Sequence, residues 1–331
     1  MRAMVSLLFL LIGAIEPSLA QQMIKCVDET GTTIFSNSAC GENAEKIDVP
    51  AVNSVPDFGS QVQPAYLKAS NTGFSDFFGF SVAVSGNTVV VGAYLEDSST
   101  TGVDSKPNEL AKNSGAAYVF HRTANTWTQQ AYIKASNTGA SDFFGYSVAI
   151  SGDTVVVGAR AEASSTTGVD SIPNDSAIQA GAAYVFHRVG TAWTQQAYLK
   201  ASNTDANDIF GESVAISGDT ILVGAFQESS STTGVNSTPN NSLFGAGAAY
   251  VFSRSKNTWT QQAYLKSSNT GEDEQFAESV AISGYTLVAG AWREDSSSIG
   301  VNGSQSDNLA ENAGAAYAYF YDLIFKDGFE K

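Results

Sequence analysis

Short runs of β-branched and aromatic residues alternate along this chain with clusters of Gly, Ser, Thr, Asn and Asp. Beyond residue 20 no stretch sustains the three-to-four spacing of an amphipathic helix, so the pattern predicts strands separated by turns. Four kinds of run recur. Run A is Phe78–Val84, repeated from Phe144, Phe210 and Phe276. Run B is Thr88–Ala93, repeated from Thr154, Thr220 and Thr286. Run C is Gly115–Phe120, repeated from Gly181, Gly247 and Gly314. Run D is Trp127–Lys134, repeated from Trp193 and Trp259.

The order A-B-C-D is a repeat. The phrase Ala-Tyr-Leu-Lys-Ala-Ser-Asn-Thr starts at Ala65 and returns nearly unchanged at Ala131, Ala197 and Ala263, each start 66 residues after the last. A fixed period of this size marks stacked units that bury a core only against one another. A passes to B through Ser85-Gly86-Asn87-Thr88 and its equivalents at Ser151, Ser217 and Ser283. Glycine at the first central position suits a two-residue type II′ hairpin turn, which makes A and B antiparallel neighbours. Four antiparallel strands per unit, four times over, predict an all-β fold: a β-propeller of four blades.

Counting predicts how the ring closes. A, B and C occur four times, but the Trp-containing D run occurs three times. An orphan D-like strand, Val62–Lys68, precedes the first unit. Paired beside Gly314–Phe320 it completes the last blade and removes an open sheet edge. The ring then closes within one chain, as a monomer. The competing arrangement is an open arc of four blades that dimerises.

The phrases F-G-x-S-V-A, V-G-A and G-A-A-Y-V-F resemble FG-GAP repeats, the blades of the integrin α-chain propeller and of many secreted bacterial proteins. The resemblance covers residues 62–322. It implies the propeller fold and a binding or adhesion role. The fourth unit departs from it, with Ala277 for the F-G glycine and Ala289-Gly290-Ala291 for V-G-A.

The ends read differently. Residues 1–20 have the form of a secretory signal peptide: Arg2, an apolar run from Val5 to Ile15, and a small-residue site at Ser18-Leu19-Ala20. Residues 21–49 read as strand, turn at Glu29–Gly31, strand: a small β-hairpin domain. Its Lys25-Cys26-Val27-Asp28 opening resembles a short N-terminal domain of unknown function in exported bacterial proteins. Cys26 and Cys40 are the chain's two cysteines. In an oxidising compartment they are expected to pair, closing a loop worth roughly 3 kcal/mol. Residues 50–61 read as a linker, and 323–331 as a tail outside the repeat.

The net charge is −16, from 17 Lys and Arg against 33 Asp and Glu. Nucleic acid and anionic lipid surfaces both want basic residues, so neither is an expected partner. With the signal, this places the protein outside the cytoplasm, secreted or periplasmic, without membrane insertion after cleavage.

The B-to-C connections, from Tyr94, Arg160, Phe226 and Trp292, are unusually long and internally similar, which favours ordered and functional loops. In a propeller they share a face with the D-to-A loops. That face is the expected ligand-binding face. It carries Asp76, Asp142, Asp208 and Glu274 before each A run. Glu96, Glu162, Glu228 and Glu294 open the long loops, and Asp104, Asp170, Asn236 and Asn302 lie within them. Clustered carboxylates suit calcium; equally, such side chains cap turns and bond loop backbone. The integrin-type calcium loop is not carried over, because the A-to-B turns offer at most one carboxylate each, at Asp153 and Asp219. No cofactor is expected.

Catalysis finds little support. His121 and His187 sit at matching positions after run C, where the third unit has Ser253, and no nucleophile elbow stands out. Trp127, Trp193 and Trp259 read as packing anchors of the outer strands rather than sugar platforms. The expected function is non-catalytic binding of a protein or glycan. The rivals are a carboxylate hydrolase at the propeller axis and a structural envelope protein.

Overall fold

A computed structural model of the chain describes residues 65–320 and three strands nearer the N-terminus. Those three are β1 (Ile24–Val27), β2 (Thr33–Ser36) and β3 (Glu45–Lys46), in a sheet of order β2-β1-β3. The β1–β2 pair is antiparallel, with Val27 opposite Thr33, so the expected hairpin is present. The signal peptide, the linker, the tail and Cys40, with the expected Cys26–Cys40 bond, lie outside the described residues.

The repeat region forms four antiparallel sheets. Blade one holds β4 (Val82–Ser85), β5 (Thr88–Ala93), β6 (Ala116–Thr123) and β7 (Thr126–Ile133). Blade two holds β8 (Phe144–Ser151), β9 (Thr154–Ala159), β10 (Ala182–Val189) and β11 (Ala192–Leu199). Blade three holds β12 (Phe210–Ser217), β13 (Thr220–Ala225), β14 (Ala248–Ser255) and β15 (Thr258–Leu265). Blade four has three strands: β16 (Ser279–Ser283), β17 (Thr286–Ala291) and β18 (Ala315–Phe320). In each sheet the strands lie in chain order, A beside B beside C beside D. Successive blades touch through their A strands, which places A at the inner edge. Each A-to-B turn has its glycine at φ of 55–57° and no positive φ at the next residue, the expected type II′ pattern.

The core lies between blades. Val90, Val119 and Ile133 of blade one meet Phe144, Val148 and Val155 of blade two. The same faces meet between blades two and three and between three and four. Trp193 and Trp259 are buried here, each donating its indole N–H to a glutamine of the preceding blade, Gln130 and Gln196, both at 2.8 Å. They are packing anchors, as read from the sequence.

The repeated glycines mark where backbones of neighbouring blades almost touch. A Cβ on Gly92 would lie 2.0 Å from the carbonyl oxygen of Gly145, and one on Gly115 2.0 Å from that of Phe144. The F-G and V-G-A phrases are thus two sides of one contact: the glycine after the phenylalanine of one blade faces the glycine of the previous blade's B strand.

Closure within the chain is not found. Tyr66 is 86% exposed and lies in no strand, and the sheet of blade four ends at β18. The joint that would carry it is not made among the described residues: a Cβ on Gly290 meets no backbone of blade one, and one on Gly79 meets nothing within 4 Å. Ser70 is held by Gln129 of blade one through bonds of 3.1 and 2.9 Å, just as Ser136 is held by Gln195 of blade two at 3.0 Å. The chain before Ser70 thus leaves blade one on the side that a preceding blade would occupy, and Val82 and Val84 remain 65% and 68% exposed.

Candidate functional site

The acidic positions read from the sequence fall into two structural sets. Glu96 is buried at the start of the first long loop. Its Oε1 accepts from Asn71 Nδ2 and the Tyr132 hydroxyl, both at 2.8 Å. Its Oε2 accepts from the Ser98 amide at 3.0 Å and Lys134 Nζ at 2.9 Å. Lys134 spends its other two protons on Ser114 Oγ and the Gly115 carbonyl. Glu162 with Lys200 and Glu228 with Lys266 repeat the arrangement, each ion pair at 3.0 Å and fully buried. Burial pushes all three lysine pKa values down, against the pull of the paired glutamates. Glu294 is also buried but is bonded by Asn269 Nδ2, at 2.8 Å. This row knots the long loop to strand D and to the D-to-A loop.

Asp104, Asp170 and Asn236 brace the same loops. Each sits at positive φ, and its Oδ1 accepts the amide of Tyr132, Tyr198 or Tyr264 at 2.9–3.0 Å. Asn302 has the same positive φ in an exposed loop. Asp76, Asp142 and Asp208 accept the amide three residues earlier, at 2.5–2.8 Å, closing the D-to-A turn. Glu274 closes its turn onto Gly271. These roles are the capping and loop-bonding ones weighed against calcium. Among the described residues no group of three or more His, Cys, Asp or Glu is placed to hold a metal ion. In the A-to-B turns, Asp153 and Asp219 each accept a guanidinium, from Arg188 and Arg254.

Burial raises the turn-closing carboxyls: Asp142 to about 7, Asp208 to about 8 and Glu274 to about 7, each against a lowering backbone bond. The folded-state pKa of Asp208 lies above its ordinary 3.8. Between those values the folded chain holds a proton that the unfolded chain has released. The stability from this carboxyl is therefore full below about pH 4 and is lost as pH rises through about 8. Asp208→Asn keeps an acceptor for the Asp205 amide and removes the titration. The expected result is a shallower fall in melting temperature from pH 5 to 8 and a gain at pH 8 on the order of 1–3 kcal/mol. Parallel pH profiles for the two proteins would refute it.

A second set of residues on the same face went unremarked in the sequence. The units differ from one another at many places, the loops included, and two of these sit side by side at the inner edge. The residue after F-G (F-A in the fourth unit) is Phe80, Tyr146, Glu212 and Glu278 in turn. The residue after V-G-A (A-G-A in the fourth) is Tyr94, Arg160, Phe226 and Trp292. The structure brings them into one strip. Phe80 packs on Tyr94 at 4.5 Å and on Tyr146 at 5.0 Å between ring centroids, and Phe77 and Phe143 flank Tyr94. Arg160 stacks over Tyr146 at 4.6 Å and pairs with Glu212 at 2.9 Å. Further along, Arg293 lies over Trp292 and pairs with Asp273. Burial raises the Glu212 and Glu278 pKa values, and Glu278 Oε2 is buried without a hydrogen-bond partner among the described residues. Phe77, Phe80 and Trp292 stay about half exposed. Within-chain divergence between otherwise matching units is the signal that finds this strip.

The repeat phrases are matched by a family. The FG-GAP repeat family matches residues 62–120, 127–186, 193–252 and 259–319. The chain belongs to the FG-GAP repeat family. Such repeats typically occur in extracellular or periplasmic proteins and suggest a binding or adhesion-type module. A domain of unknown function, DUF4124, matches residues 7–57. No curated protein matches. Among solved structures the chain is similar to the computationally designed Ika4 protein, at 11% identity and a TM-score of 0.36, over 75% of this chain and 93% of that one. No helix among the described residues is long and apolar enough to cross a membrane.

Proposed function

We propose that this FG-GAP protein is a secreted or periplasmic, non-catalytic binding module that takes a protein or glycan ligand on the inner strip of its loop face. The observation that carries the reading is the strip itself. A scaffold that repeats its glycines, lysines and loop carboxylates changes residues along an edge where half-exposed aromatic rings lie beside guanidinium groups and partly buried carboxylates. Half-exposed rings backed by rigid strands offer large contact area at small entropic cost, and stacked arginines add directional hydrogen bonding. The loop carboxylates support the strip from beneath by fixing the loops that frame it. No metal or cofactor takes part in this reading.

A glycan array and a capture screen with the full chain identify the ligand, and titration with that ligand then measures variants. Phe80→Ala combined with Tyr94→Ala is expected to weaken binding by at least about tenfold, as interface aromatics commonly do, with the melting temperature little changed. Unaltered affinity in that variant, and in Trp292→Ala, would remove the strip from the reading. Turnover of a glycan or peptide that is lost in Glu278→Gln would favour the hydrolase instead.

A further inference from the structure

Among the described residues both ends of the blade row are unfinished, and they are complementary. Blade four presents a groove of about 900 Å³ along β18, lined by Glu294, Gly300 to Asn302 and the strand itself. In the other blades strand D occupies this place. There its lysine reaches the loop glutamate and the carbonyl after it, its tyrosine amide bonds the loop Asp or Asn, and its Ile or Leu bridges the loop valine. In blade four Glu294 has no lysine among the described residues, and Val301 is 91% exposed. The missing partners stand at the opposite end. Tyr66, Leu67 and Lys68 are the repeat equivalents of Tyr132, Ile133 and Lys134, and Tyr66 and Lys68 are exposed.

The glycines say the same. At the three internal junctions a Cβ on the B-strand glycine would collide with the next blade's carbonyl: Gly92 with Gly145, Gly158 with Gly211 and Gly224 with Ala277, at 2.0–2.1 Å. Among the described residues the fourth equivalent, Gly290, meets only Ser279, and Gly79, the F-G glycine of blade one, meets nothing within 4 Å. Ala316 and Ala318 of β18 are exposed where their counterparts Ala117 and Val119 are fully buried. Repeat arrays normally end in a polar cap; these two ends keep the docking surfaces of internal blades.

We propose that a second copy of this chain completes the last blade. Residues 66–68 of one copy lie beside β18 of the other, Lys68 pairs with Glu294, and blade one packs on blade four through Gly79 and Gly290. The contact is head-to-tail, so it propagates unless a rotation closes it, and a pair of copies exchanging strands both ways is the smallest closed form. The occupant is a second copy because the interface already exists three times inside the chain. Residues 66–68 leave Ser70 on the side of blade one that a preceding blade would occupy, and among the described residues no strand of their own chain pairs with them.

Two measurements test this. Sedimentation of the full chain is expected to give a mass of two copies, or a larger whole multiple. Ala318→Arg, at an exposed position of β18 in a single copy, is expected to return the mass to one copy without lowering the melting temperature. The second measurement uses Leu67→Cys in one preparation and Val301→Cys in another, at the cross-strand pair equivalent to Ile133 and Val103. Oxidation of the mixture is expected to link residue 67 of one copy to residue 301 of the other, located by peptide mapping. A single-copy mass overturns the proposal. So does a 67–301 bond formed within one chain of the double variant, or a multimer in which that bond never forms.

Discussion

Glu162→Ala is expected to destabilise the protein by roughly 3–5 kcal/mol, because it leaves the Lys200 ammonium buried with no opposing charge. The pair has no solvent to fall back on: both side chains are almost completely inaccessible. The loss extends beyond the ion pair, since the Ser164 amide and Asn137 also give up their acceptor. Glu162→Gln with Lys200→Met keeps a neutral acceptor for one of those donors and removes the stranded charge, and it is expected to regain part of the loss. Urea unfolding followed by tryptophan fluorescence measures both. A single-variant loss under about 1 kcal/mol, the size typical of exposed pairs, would contradict the burial on which the argument rests.

Gly181→Ala is the second large effect. This glycine has φ of +80°, and a Cβ there would lie 2.0 Å from the Phe210 carbonyl oxygen. The left-handed conformation alone costs an L-residue about 1–2 kcal/mol, and forcing two blade backbones apart adds about 1–3 kcal/mol. Gly168→Ala separates the two contributions. Gly168 has the same φ, +81°, but open space around it, so only the conformational part applies. Equal melting temperatures for the two variants would show that the blade contact contributes nothing.

The strands, their order within each blade and the type II′ turns were legible because each rests on local chemistry repeated four times. Blade one shows where local reading stops. Its A run starts at Phe78, yet β4 begins at Val82, whereas β8 and β12 begin at the matching Phe144 and Phe210. Those two phenylalanines bridge to Gly115 and Gly181 of the preceding blade; among the described residues neither Phe78 nor Phe276 makes such a bridge, and β16 likewise begins late, at Ser279. Closure is not local either: the count of strands was right, but among the described residues Gly79 and Gly290 do not meet, so the orphan strand has no β18 of its own chain beside it. The acidic positions were found, but their partners were not, because Lys134 lies 38 residues from Glu96 and looks in sequence like an ordinary strand-end lysine. The aromatic strip escaped notice because searching for what repeats hides what does not.

That division between constant and variable positions makes the blades interchangeable parts. A chain with its second and third units exchanged would keep the glycine contacts, lysine knots and hairpin turns in place, since neighbouring units present the same joints. Only the order of rings and charges along the inner edge would change. The scaffold behaves as a row of sockets and the strip as the word spelled in them, so new specificities need reordering of units rather than invention of a fold.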